Sequence, residues 1–140
     1  MDLVIDVDVE APRTALREIH DRIDRPEALL RRMGLLLEDY EREVFATRGH
    51  GQWQTLDPAT VDQKGSSRVL FATGALFDEL TSAEVEGDAV VVNQGSAYYG
   101  RFLRDGDRGM PRRDPAPEPP HDTQEQWADD ILAFLTEGLA

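Results

Sequence analysis

The chain contains no cysteine, which removes disulfide frameworks, thiolate zinc sites and cysteine nucleophiles together. Lysine is nearly absent as well, with Lys64 standing alone beside fourteen arginines. No apolar run approaches the ~20 residues that cross a bilayer. Residues 1–10, MDLVIDVDVE, carry acids where a secretory signal has its basic and apolar regions. Cytoplasmic synthesis is the resulting expectation. Aromatic residues are only 7% of the chain, so the few that occur are the natural anchors to weigh.

What is present fits one domain with an appended element: 140 residues, 40% of them hydrophobic. The net charge of −13 disfavours general binding to a phosphate backbone. The charge is uneven. Residues 101–113 carry Arg101, Arg104, Arg108, Arg112 and Arg113 against two aspartates, while residues 114–140 carry seven acids and no basic side chain. Acids on the same or another subunit are natural counterions for the basic stretch; an ordinary solvated loop is the plainer alternative.

Leu3, Ile5, Val7 and Val9 recur with a period of two, which predicts a half-buried strand. Pro12 suits the first turn of a helix, and Thr14 to Ile23 carries apolar residues at helical spacing until Arg25-Pro26 interrupts it. Pro26 to about Phe45 predicts a long amphipathic helix, with Leu29, Leu30, Met33, Leu36, Leu37, Tyr40 and Val44 in one stripe and Glu41 among the polar remainder. A glycine loop follows at 46–55 and ends on Trp53. Asp57-Pro58 predicts a short helix to about Lys64, and another is expected from Thr73-Gly74 through Leu80. Ser82–Val85 and Ala89–Asn93 flank Glu86-Gly87-Asp88 as a β-hairpin. Tyr98 to Leu103 reads as a short aromatic helix or strand end. Residues 104–121 are dense in glycine, proline and charge, hence extended or mobile. Asp122 or Thr123 is placed to cap a final helix bearing Trp127, Ile131, Leu132, Phe134 and Leu135. That helix docks on a neighbour or on its own domain.

Reactive constellations are wanting. His20, His50 and His121 lack a second ligand at metal spacing, and no serine sits in a nucleophile elbow. Gly49-His50-Gly51 lacks the rest of a phosphate loop, and Asp105-Gly106-Asp107 lacks the remaining ligands of a calcium loop. Asp2, Asp6 and Asp8 read as a solvated strand face. The expectation is a protein that is not an enzyme and carries no cofactor or metal.

From Phe45 to Arg113 the order of landmarks resembles the phage virion morphogenesis family, the tail completion (tail S-like) proteins, which are related to neck and tail-terminator proteins. The landmarks are Phe45; Gly51 and Trp53; Leu56, Pro58 and Thr60; Lys64; Leu70, Thr73, Gly74 and Leu76; the hairpin from Val85 to Val92; Tyr98 and Tyr99; and Pro111, Arg112 and Arg113. The ordered set carries the resemblance, since no single piece is specific. Residues 1–25 and the acidic tail beyond Asp114 fall outside it. Gly100-Arg101-Phe102-Leu103 also departs from the histidine-glutamine-phenylalanine-glycine-like stretch that usually follows the tyrosine pair.

The resemblance implies an α+β fold: a small antiparallel sheet packed on the long helix, with an extended N-terminal strand and a C-terminal arm and helix. Three parts are expected: residues 1–113 as the domain, 114–121 as a proline-rich linker and 122–140 as an acidic helix. The implied function is structural: a hexameric ring of identical subunits in the virion, assembled in the host cytoplasm. It completes the tail and joins it to the head, with neck, connector and tail tube proteins as partners and no membrane or sequence-specific nucleic acid. Trp53, Leu56, Tyr98, Tyr99 and Phe102 are candidate inter-subunit anchors, and the five arginines of 101–113 candidate contacts to the next subunit's acids. A common small core is the alternative for the aromatics. Competing functions are a tail terminator or a component of a phage-derived particle and, from another class, an acidic regulatory or DNA-mimic protein that binds a host factor.

Overall fold

A computed structural model describes residues 3–69, 74–92, 100–106 and 111–139. Residues 3–9 form no strand; they run without regular structure into α1 (Glu10–Asp24). The period-two pattern is present, but a strand also needs a partner backbone for its N–H and C=O groups, and none lies beside it among the described residues. Helix α1 begins four residues before the predicted Thr14, where the Asp8 carboxylate accepts a hydrogen bond from the Glu10 amide at 2.9 Å. It ends at Asp24, just ahead of Arg25-Pro26, as expected from the proline.

Helix α2 (Glu27–Ala46) is the element against which the others pack. Leu30, Gly34, Tyr40, Glu41 and Val44 are buried, whereas Met33, expected in the stripe, is exposed. Helices α3 (Pro58–Lys64) and α4 (Ala75–Leu80) follow. Asp57 and Pro58 take the N-cap and first helical positions, and Gly65 ends α3 in the left-handed conformation.

Strands β1 (Ala83–Glu86) and β2 (Ala89–Val92) pair antiparallel, with Ala83 opposite Val92 and Val85 opposite Val90. Gly87, at φ +64°, takes the first place of the two-residue loop, where a type II′ turn wants glycine. The sheet lies close on α2: a Cβ at Gly34 would stand 3.5 Å from Ala83 and 3.6 Å from Val90. The Glu38 carboxylate accepts the Ala83 amide at 2.9 Å. The architecture is α+β, six helices and one small antiparallel sheet among the described residues.

Helix α5 (Gly100–Asp105) leads towards residues 111–120, which were expected to be extended or mobile. They are extended but held. Pro115 is fully buried, and the carbonyls of Asp114 and Pro117 accept hydrogen bonds from Trp53 and Tyr40. Helix α6 (His121–Thr136) then packs antiparallel on α2 of its own chain. Neither Asp122 nor Thr123 is its N-cap; Pro120 is, without a side-chain cap. Arg32 holds Asp130 through two hydrogen bonds of 2.6 and 2.7 Å, which keeps that carboxyl below its ordinary range. Trp127 meets Tyr40 edge-on at 5.7 Å. The Arg22 guanidinium donates to the carbonyls of Phe134, Leu135 and Glu137, groups that a helix end leaves unpaired.

The core has two parts: Tyr40, Val44, Trp53 and Val69 in one, Leu76 and Leu80 in the other, with Phe45 packed against both. Leu80 is 1% exposed, so Leu80→Ala should cost about 2–5 kcal/mol through lost burial and the cavity left behind. Leu35→Ala, on the open side of α2, should stay within about 0.5 kcal/mol. Urea unfolding of both variants checks the contrast.

Candidate interface site

The loop after α2 winds the unusual way. Arg48, Gly49, His50 and Gly51 all have positive φ, at 55°, 65°, 56° and 78°. Two of the four are residues that carry a Cβ, for which this conformation costs roughly 1–2 kcal/mol each. The loop is held by its own hydrogen bonds: Gly49 N–H to the Val44 carbonyl at 2.7 Å, Trp53 N–H to that of Arg48 at 3.0 Å. The Thr47 hydroxyl also accepts the His50 amide at 3.1 Å. Trp53 lies directly over Gly49, where a Cβ would come within 2.3 Å of the indole nitrogen. The glycine alternation in the sequence marks a loop, but not that Arg48 and His50 would share its handedness.

The two strained side chains line two different clefts. His50 borders one of about 370 Å³ with Trp53, Arg112, Asp114 and Pro117. Arg48 borders one of about 330 Å³ whose floor is Phe45, Val69 and Phe77 and whose rim also holds Arg42 and Arg68. Phe45 packs edge-on against both Trp53 and Phe77, at 5.3 and 5.2 Å.

Trp53 is 6% exposed, and its indole N–H donates to the Asp114 carbonyl at 2.9 Å. Leu56 packs against the same cluster. Both are therefore spent on their own chain's core. Arg113 also turns inward, donating to the carbonyls of Gln54 and Thr55 at 2.7 and 3.2 Å, and its amide reaches the Leu103 carbonyl. Arg104 pairs with its exposed neighbour Asp105, and Arg112 is exposed at the His50 cleft. Tyr98, Tyr99 and Arg108 lie outside the described residues, as do the side chains of Arg101 and Phe102.

Two titratable groups lie behind the loop, Tyr40 and Glu41, which helical spacing placed on α2 without a functional role. Glu41 is 2% exposed, and its Oε2 has no hydrogen-bond partner among the described residues. Burial first, then the Asp114 carboxylate, push its carboxyl up to about 8. Its neighbour Tyr40 is pushed up to about 12, by burial first and then by the charges of Glu41, Glu43 and Asp114. The Tyr40 hydroxyl donates to the Pro117 carbonyl at 3.0 Å and lies 3.3 Å from His50 Nε2. Glu41 stands four residues after Leu37 and three before Val44, so helical spacing puts it on the apolar face although its side chain is acidic. Asp114, in residues 111–120, lies near it.

Protein-family models, curated proteins and solved structures yield no match to the chain. The site's meaning therefore comes from its own geometry. That geometry provides two open clefts beside a strained, glycine-bearing turn. Among the described residues, no group of three or more histidines and carboxylates is placed to hold a metal ion.

Gly49→Ala combines a forbidding φ with a clash against Trp53, and should cost about 3 kcal/mol or more. Gly51→Ala has open space around it and should cost about 1 kcal/mol from backbone strain alone; chemical denaturation separates the two. Glu41 binds its proton more tightly folded than unfolded. Stability from this group is thus present in full below the ordinary value of 4.5 and falls as pH rises towards about 8. Glu41→Gln should flatten that fall, raising Tm more at pH 8.5 than at pH 5 in parallel melts.

Proposed function

We propose that this chain is a structural protein of a phage virion, a ring subunit that completes the tail and supports its joining to the head. It acts by contact rather than by turnover. The observation that carries the reading is the closure of the landmark stretch. Trp53, near its beginning, and Arg113, at its end, are tied to each other's segments by three hydrogen bonds. Landmarks widely separated in sequence thus belong to one folded unit, which favours reading them as an ordered set.

The surface favours an assembled state. Among the described residues, seven of the eleven exposed large hydrophobic side chains fall between Leu3 and Ile23, a segment with no buried residue. Such unspent apolar surface suits an element that packs on a neighbour.

In purified particles of the phage that encodes it, quantitative mass spectrometry should find the chain at a constant, ring-sized copy number per particle. Imaging should place it between tail tube and connector. Its absence from purified, infectious particles would end this reading.

A further inference from the structure

The cleft rimmed by Arg42, Arg48 and Arg68 is basic ground in an acidic chain. Nearby, Lys64 is drawn below its ordinary value by burial first and then by the charges of Arg68 and Arg113. Arg42 already pairs with Asp39 at 3.0 Å and Glu38 at 3.7 Å. These are solvent-reached pairs of small worth that incoming carboxylates can share. The turn holds Arg48 at the rim in a costly backbone conformation, the kind of strain that concentrates where a side chain must be presented. Beneath the rim lie aromatic and aliphatic side chains. A ligand for this cleft is therefore extended, apolar on one side and acidic on the other.

Among the described residues, one segment has that character and no partner. In residues 3–10, Leu3, Ile5, Val7 and Val9 alternate with Asp6, Asp8 and Glu10. Leu3 and Val4 are each 85% exposed. The segment is poorly placed to reach the cleft of its own molecule. Its base, Glu10, lies beside Gly138 and Leu139, past the end of α6 that packs near the start of α2. The cleft lies towards the other end of α2, with Arg42 about 22 Å and Phe45 about 27 Å along the axis from Glu27 at 1.5 Å per residue. Seven extended residues span at most about 24 Å, which is used up in reaching the near edge of the cleft from beyond that helix start.

We propose that the arginine-rimmed cleft receives residues 3–9 of a second copy of this chain, the apolar side chains on Phe45, Val69 and Phe77 and the acids on the arginines. The contact is head-to-tail, because arm and cleft are different surfaces of one molecule. Repeated, it closes a ring or extends a filament. It gives the ring of the proposed function its subunit contact, and rests on that reading only for the ring's place in a virion.

The test uses purified full-length protein in sedimentation velocity across a concentration series at low and high salt. Wild type should self-associate, at least tenfold more weakly at high salt. Deletion of residues 3–9, and separately Arg48→Glu, should each give a monomer with unchanged helical circular dichroism. Mixed together, the arm-deleted protein (cleft intact) and the Arg48→Glu protein (arm intact) should form a 1:1 pair and nothing larger. A labelled peptide of residues 3–10 should bind the arm-deleted protein, and a shuffled peptide of the same composition should bind at least tenfold more weakly. Any of four results would overturn the proposal: a monomeric wild type, unaltered association after arm deletion, no pair on mixing, or equal binding of both peptides. Rings that persist in particles without the arm would remove this contact and leave the virion reading standing. Association in solution by a chain absent from particles would do the reverse.

Discussion

Trp53 joins the two ends of this fold. Its indole fills the space over Gly49, packs edge-on against Phe45 and donates its one hydrogen bond to the Asp114 carbonyl. The first contact requires a residue without a side chain in a left-handed turn, and the second fixes the end of α2. The third ties residues 111–120 across the helix, so that α6 can return along α2. Without that bond the strap would have little to hold it beyond Pro115, Arg113 and the Tyr40 hydroxyl. An amphipathic ring suits the position, because it excludes water on its face and satisfies a buried carbonyl at its edge.

The strap also imposes a polar cost. Its Asp114 lies near the buried Glu41 carboxylate, which has one oxygen unpartnered among the described residues. Keeping the proton is the cheaper response for a buried acid beside another acid. Elsewhere the excess of acids is either solvated or paired across elements, as Asp130 is with Arg32. Lys64, Arg68 and Arg48 form one local group of cations, while six further arginines lie between Arg13 and Arg32. The exposed arm, without a partner among the described residues, and the arginine-rimmed cleft are the features on which the proposed self-association rests.

The family resemblance and the geometry bear on different parts of this picture. The proposed place in a virion rests on the resemblance, which covers Phe45 to Arg113. The exposed arm and the arginine-rimmed cleft supply a means of joining, and the arm lies outside the resembling stretch. Trp53, Leu56 and Arg113, candidate anchors between subunits, all make contacts within their own chain.

By itself the sequence determined the local elements. Asp57-Pro58 and Gly65 bound α3, Gly87-Asp88 turns the hairpin, and the apolar spacing of 27–46 makes a helix, because caps, turns and periodicity act over a few residues. Tertiary structure alone decided what those elements meet. The period-two arm at 3–9 has no strand partner among the described residues, because a strand is completed by a partner that local pattern cannot supply. Met33 is left open and Glu41 is buried because packing decides which parts of the apolar face of α2 are covered. That Trp53 reaches Asp114 across sixty residues of chain is likewise a property of the packed molecule, since burial and hydrogen bonding at that range depend on where the whole backbone goes.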